Sequence, residues 1–168
     1  MAHAELTDFY QNFRFHVMDP NGFLSPVAGF QTVGVPEYTV DPADYREGWY
    51  TYTRKYPGIP TVSELTFQKG VARVKSDFYR WVLTAIEGGQ YRTDLLLFQY
   101  HRSDILATIG STQIGAPSRT YRIFEAFPTR AKPGADMDSG SGDVSLQELA
   151  IQYESFELEE PASPASSA

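Results

Sequence analysis

Cysteine is absent from the 168 residues. A disulfide framework, a thiolate metal site and a cysteine nucleophile are therefore all excluded, and the chain suits assembly in a reducing compartment. Histidine is scarce: His3, His16 and His101 are the three. They show neither HxH nor HExxH spacing and no carboxylate pattern beside them that would suit a metal. The GxSxG nucleophile motif and the GxxxxGK[ST] phosphate loop are also missing. The acidic pairs Asp136/Asp138 and Glu159/Glu160 fall in segments read as mobile, where burial cannot tune a carboxyl group. The expectation is a protein that is not an enzyme, with no catalytic residues, no cofactor and no metal.

Long apolar runs are lacking too. The longest, Leu95 to Phe98, is far short of a membrane span. The opening MAHAELTDFYQNF has no basic start followed by an apolar run, so it is not expected to be a signal peptide. Basic charge is in deficit: 14 Lys and Arg face 21 Asp and Glu, for a net charge of −7. Phosphate neutralisation needs a basic face, which argues against a general nucleic-acid binder. It leaves room for a surface that nucleic acid slides past.

What the chain does have is aromatics, with 11 Tyr and 11 Phe, residues that favour strands and contact surfaces. Its length suits one domain, placed at residues 1–160. The closing PASPASSA, residues 161–168, reads as a disordered tail. Phe13 to Met18 alternates in the manner of a half-buried strand. Asp19-Pro20-Asn21-Gly22 is a turn signal leading to a second strand over Leu24 to Thr32, so the opening reads as a hairpin.

From Gly34 to Tyr56 the periodicity fades, while Tyr38, Tyr45, Trp49, Tyr50, Tyr52 and Tyr56 sit among scattered charges. So much aromatic surface argues against disorder. Two readings stand: an extended arm or β-hairpin at about 37–58 that docks on a partner, or a segment covering this chain's own core. Pro57-Gly58-Ile59-Pro60 reads as a break before an alternating strand, Val62 to Lys69. In SDFYRWVLTAIEGG, Phe78, Trp81, Val82, Ala85 and Ile86 fall at helical spacing, with Ser76 as N-cap and Gly88-Gly89 as stop. Phe78, Trp81, Val82 and Ile86 are expected to pack that helix on a sheet.

Leu95 to Tyr100 predicts a strand covered on both faces. Ile105 to Ser118 reads as a connection or irregular strand pair, and Tyr121 to Phe127 as a strand with Glu125 awkward in either register. Ala131 to Asp143 reads as a polar loop. The last strand, Val144 to Glu159, changes phase: Leu149, Ile151 and Tyr153 share one face but Phe156 and Leu158 the other. A bulge near Glu154-Ser155 would reconcile them. The class is mainly β with one α-helix, an antiparallel β-barrel or sandwich.

Several segments in order resemble the tail-tube, or inner-tube, proteins of contractile-tailed phages and phage-tail-like contractile injection systems. They are Phe13-Arg14-Phe15-His16-Val17, Val27 to Phe30, Tyr45-Arg46-Glu47-Gly48 and the Arg54 to Gly58 junction. Leu65 to Gly70, the helix centred on Trp81, and Leu149 to Glu154 follow. The resemblance implies a barrel whose strands join a continuous inner barrel in a homo-hexameric ring, with rings stacking into a tube. It implies as partners a sheath protein, baseplate and tube-initiator proteins, a tape measure, a cap or terminator, and DNA or protein cargo in the lumen. Assembly would be cytoplasmic, ending in a phage virion tail or injection particle. The arm then becomes the subunit or ring interface through Tyr45, Arg46, Glu47, Trp49, Tyr52, Arg54, Lys55 and Tyr56. The alternatives are a tube initiator sharing the fold and a monomeric small-ligand-binding β-barrel. The apolar run at Leu95 to Phe98, which suggests a filled core, disfavours the latter.

Overall fold

The computed structural model describes Asn12 and residues 15–24, 30–71, 76–100, 119–137, 140 and 142–160, with the backbone alone of 106–109 and 112–115. In chain order the elements are β1 (Phe15–Met18), β2 (Thr32–Val33), β3 (Tyr38–Tyr45), β4 (Arg54–Val62), β5 (Leu65–Gly70), α1 (Asp77–Ile86), β6 (Thr93–Gln99), β7 (Leu106–Ile109), β8 (Thr112–Gly115), β9 (Arg119–Lys132), β10 (Leu146–Gln152) and β11 (Ser155–Glu159). Seven strands make one antiparallel sheet in the order β1-β6-β9-β10-β5-β2, with β11 added on β9. Two hairpins, β3–β4 and β7–β8, stand outside it.

The sheet is organised by β9, whose first half pairs with β6 and β11 and whose second half pairs with β10. The changeover is at Glu125. Its φ of 53° is rare for a residue with a side chain, and the β6 register slips beside it, between Thr93 and Leu95. Its N–H donates to Asp94 Oδ1 at 3.0 Å. The awkward parity is thus absorbed by a local bulge, which turns Glu125 outward while Ile123 and Ala126 stay buried. Both halves then feed one core. Val17, Leu95, Leu97, Tyr121 and Ile123 come from one side, Leu65, Phe67, Leu149 and Ile151 from the other, with Phe78 and Trp81 of the helix. The two ends of the sheet, β1 and β2, line one cleft of 280 Å³ with Val35, Leu97 and Tyr121.

The helix forms where its caps demand. Ser76 Oγ accepts from the Tyr79 N–H at 3.4 Å and donates to Gln147 Oε1 at 2.6 Å, joining the helix start to β10. Asp77 in the first turn pairs with Lys69 Nζ of β5 at 3.4 Å. At the far end, Gly88 (φ 75°) donates to Ala85 O and Gly89 donates to Thr84 O, a Schellman closure. Trp81 donates its indole N–H to Tyr91 O at 2.6 Å and stacks on Phe23.

Several expectations need correction. The turn at Asp19 forms, with Gly22 N–H on Asp19 O and the Asp19 carboxylate accepting from Asn21, Leu24 and Thr93. Among the described residues it opens no hairpin: β1 pairs with β6 and β2 with β5. Local turn chemistry cannot choose a strand's partner when apolar partners lie far along the chain. Residues 13–14 and 25–29, to which those expectations extended, lie outside the described residues, as do His3, His101 and the tail at 161–168. The Pro57 to Pro60 segment is not a break; β4 runs through it. β5 begins at Leu65, since Val62 belongs to β4, and β9 runs on to Lys132, taking in the first two residues of the expected loop. β6 is buried on one face at Leu95 and Leu97 but only half-covered at Leu96 and Phe98. Ile86, expected on the packed stripe, is 74% exposed, while Phe78 and Trp81 are buried and Val82 half-buried. The final strand is two, β10 and β11, separated at Tyr153-Glu154 where Glu154 N–H meets Phe124 O.

Candidate assembly arm

The segment from Tyr38 to Val62 folds as a two-stranded ribbon. β3 and β4 pair from Tyr38↔Val62 to Tyr45↔Arg54, and residues 46–53 cross the tip. Every residue of β3 is exposed, and of β4 only Gly58 and Val62 are half-buried. Of the two sequence readings, covering this chain's own core does not describe it.

One irregularity shapes the ribbon. The register shifts between Val40 and Pro42, so that Gly58 and Ile59 oppose Asp41. A Cβ on Gly58 would lie 2.3 Å from the Asp41 carbonyl oxygen, so glycine is the side chain that fits this bulge. The extra residue restores the alternation, leaving Pro57 and Pro60 on the same face.

The expected contact residues gather at the outer end. Arg54 lies over the Tyr50 ring, 4.5 Å from its centroid, and Arg46 Nε donates to Tyr50 O at 3.4 Å. Tyr45 and Tyr56 meet edge to face at 6.3 Å. Lys55 Nζ and Asp44 Oδ1 are 3.6 Å apart on an exposed surface, a pairing worth little by itself. Glu47 caps the tip turn through its carbonyl, which accepts from the Tyr50 N–H at 3.0 Å. Trp49 and Tyr52 stand clear at 99% and 80% exposed. Phe78, Trp81, Val82 and Ile86 lie on the helix, apart from this group. Sequence reading missed Ile59, 84% exposed; the signal was an isoleucine between prolines with no helical or strand period to bury it.

The root of the arm is fastened to the barrel. Tyr38 stacks on Phe156 of β11 with centroids 4.3 Å apart, and Glu37 N–H donates to the Tyr153 hydroxyl at 3.2 Å. Ser63 N–H closes the exit of β4 on Glu37 O at 3.2 Å. Among the described residues no group of three or more His, Asp or Glu is placed to hold a metal, and no helix is long and apolar enough to cross a membrane.

Chains in solved structures of contractile injection particles share this fold. A chain of an extracellular contractile injection system, the PVC sheath-tube complex in its extended state, matches with TM-score 0.73 and 19% identity, over 93% of this chain and 95% of that one. A chain of the anti-feeding prophage tube-terminating cap matches at 0.74 and 19%, over 95% and 97%. A chain of the anti-feeding prophage baseplate matches at 0.72 and 16%, over 92% and 98%. Comparison with curated protein sequences gave no match. The family model of the T4-like virus tail tube protein gp19 matches residues 11–157. The chain belongs to that family and is a tail tube protein.

Proposed function

We propose that this chain is the repeating subunit of the inner tube of a phage tail or contractile injection particle. Residues 1–160 act as one unit, and six copies form a ring. Rings stack into a conduit for DNA or protein cargo, enclosed by a sheath, seated on a baseplate and tube initiator, measured by a tape protein and closed by a cap. Subunits assemble in the cytoplasm and end in the particle. The observation that carries this reading is the family match across residues 11–157.

The arm supplies a physical means of stacking. Tyr45, Trp49, Tyr52 and Tyr56 offer stiff amphipathic contact area, and Arg46, Glu47, Arg54 and Lys55 offer charges for a partner. A self-assembling conduit also needs no catalytic pocket. At −7 per chain, six chains carry −7 × 6 = −42, and like charge facing the lumen would let nucleic acid pass without adhering.

Size-exclusion chromatography with mass detection, followed by negative-stain microscopy, tests the reading. Wild-type protein is expected as rings and stacked filaments. R46E/R54E is expected to fold normally but to lose stacking. A stable monomer at assembly concentrations would overturn the tube reading, and isolated short caps would move the assignment to a tube initiator.

A further inference from the structure

The outward surfaces of the molecule differ in what they leave uncovered. Residues directly opposite one another in an antiparallel pair share a face. On β2, β5, β9 and β10 the face turned away from the core is therefore built from two rungs. One runs Lys132–Glu148–Gln68–Thr32, the other Arg130–Ala150–Thr66. Among the described residues this face exposes no large apolar side chain; Leu146 and Phe127, at its two ends, are half-buried.

Its charges are answered on the spot. Arg130 Nη2 donates to Glu148 Oε1 at 2.5 Å, Thr129 Oγ1 donates to Glu64 Oε1 at 2.9 Å, and Lys132 Nζ lies 3.0 Å from Asp136 Oδ1. Arg130 and Lys132 balance Glu64 and Glu148, with Asp136 at the rim, so little of the chain's net charge of −7 lies here. The other outward surfaces carry apolar side chains that call for cover. Met18 is exposed beside Leu96 on β1 and β6, Tyr79 and Ile86 are exposed on the helix, and the arm adds Trp49 and Ile59.

We propose that the outward face of β5, β9 and β10 lines the bore of the tube, and that the cargo it passes is polypeptide, not nucleic acid. This rests on the chain being a stacked tube subunit. The outside of such a tube must grip a sheath, whereas the bore must grip nothing. A surface with no exposed apolar patch and with its charges paired grips least. Polypeptide in transit finds nothing there to hold its hydrophobic segments and no net field to hold its charges. Nucleic acid needs a like-charged bore to keep it off the wall, and this face does not supply one. The Arg130 and Lys132 side chains, 59% and 45% exposed, can exchange carboxylate for phosphate. Repeated in every copy around the bore, they would retain a polyanion.

The chain has no cysteine, so T66C and Q68C each give a single reporter of position. In filaments both are expected to react with a small maleimide and to resist a maleimide on a polyethylene glycol too bulky for the bore. In isolated rings both reagents should react. Reaction of filaments with the bulky reagent would put this face on the outside, and no reaction with the small one would bury it in a subunit interface. Either result overturns the assignment. Cargo class is read on wild-type filaments with two fluorescent probes, a single-stranded oligonucleotide and an unfolded peptide rich in Gly, Ser and Gln. The oligonucleotide should be retained at about 50 mM salt and roughly tenfold less at about 200 mM, while the peptide passes at both. R130Q/K132Q, with its fold checked by circular dichroism and its filaments by microscopy, should lose that retention. Free passage of the oligonucleotide through wild type, or unchanged retention in R130Q/K132Q, would overturn polypeptide as the cargo class. Those outcomes leave the tube reading standing; that reading fails only if the wild-type chain forms neither rings nor filaments.

Discussion

The Tyr38 hydroxyl donates to the Phe156 carbonyl at 3.1 Å and accepts from the Phe156 N–H at 3.0 Å, while the two rings stack. One side chain thereby satisfies both backbone groups of a residue 118 positions away and fixes the angle at which the arm leaves the barrel. A hinge at this point would cost each copy ordering entropy on docking; a fastened root lowers it.

Replacing Tyr38 tests this directly. Y38A removes one donor, one acceptor and a stacked pair, a loss of about 1–2 kcal/mol. The barrel should keep its circular dichroism spectrum. Limited proteolysis should cut residues 46–53 faster than in wild type. Unchanged cleavage would mean that the root is held by Glu37 and Ser63 alone.

The helix offers a paired comparison. Trp81 is 1% exposed, and W81A leaves a cavity and orphans the Tyr91 carbonyl, for a loss of about 3–5 kcal/mol in chemical denaturation. Ile86 sits one turn on, 74% exposed, and I86A should change stability by no more than about 0.5 kcal/mol. A large effect at Ile86 would mean that assembly, not the fold, covers the helix end.

His16 on β1 supplies a pH signature. It is half-buried and lies 6.4 Å from Phe98 in stacked orientation, and burial lowers its pKa from the ordinary 6.5. The folded state therefore binds fewer protons than the unfolded state between the lowered value and 6.5. Stability from this group is present above 6.5 and is lost as pH falls through that window. Melting temperatures of wild type and H16Q, taken at pH 7.5 and pH 5, should show a smaller drop for H16Q. Equal drops would assign the acid sensitivity to carboxylates.

Legibility in the sequence follows the range of the forces involved. The helix was readable because its signals lie within a dozen residues: Ser76 as cap, Phe78 and Trp81 at helical spacing, Gly88 at positive φ. The phase change before Phe156 was readable because strand parity is local. The partner of β1 was not, since Val17↔Leu97 spans 80 positions and a turn motif says nothing about such distances. The arm was readable as aromatic and charged, but Pro57 to Pro60 misled, because proline is excluded from central strands and tolerated on edges. Whether that segment was edge or break depended on a partner strand that only folding supplies.

By itself, then, the sequence determined a mainly β chain with one capped helix, no cysteine chemistry, an acidic body and an aromatic segment unsuited to solvent. Composition and short-range periodicity decide those properties. The tertiary structure alone decided that β9 bends at Glu125 to serve two halves of one sheet, and that Gly58 makes the bulge aligning Pro57 with Pro60. It also set the Tyr38–Phe156 root that points the arm away from its own core. Each of these depends on residues far apart in the chain meeting in space, and that meeting is set by burial of the whole core, not by any local preference.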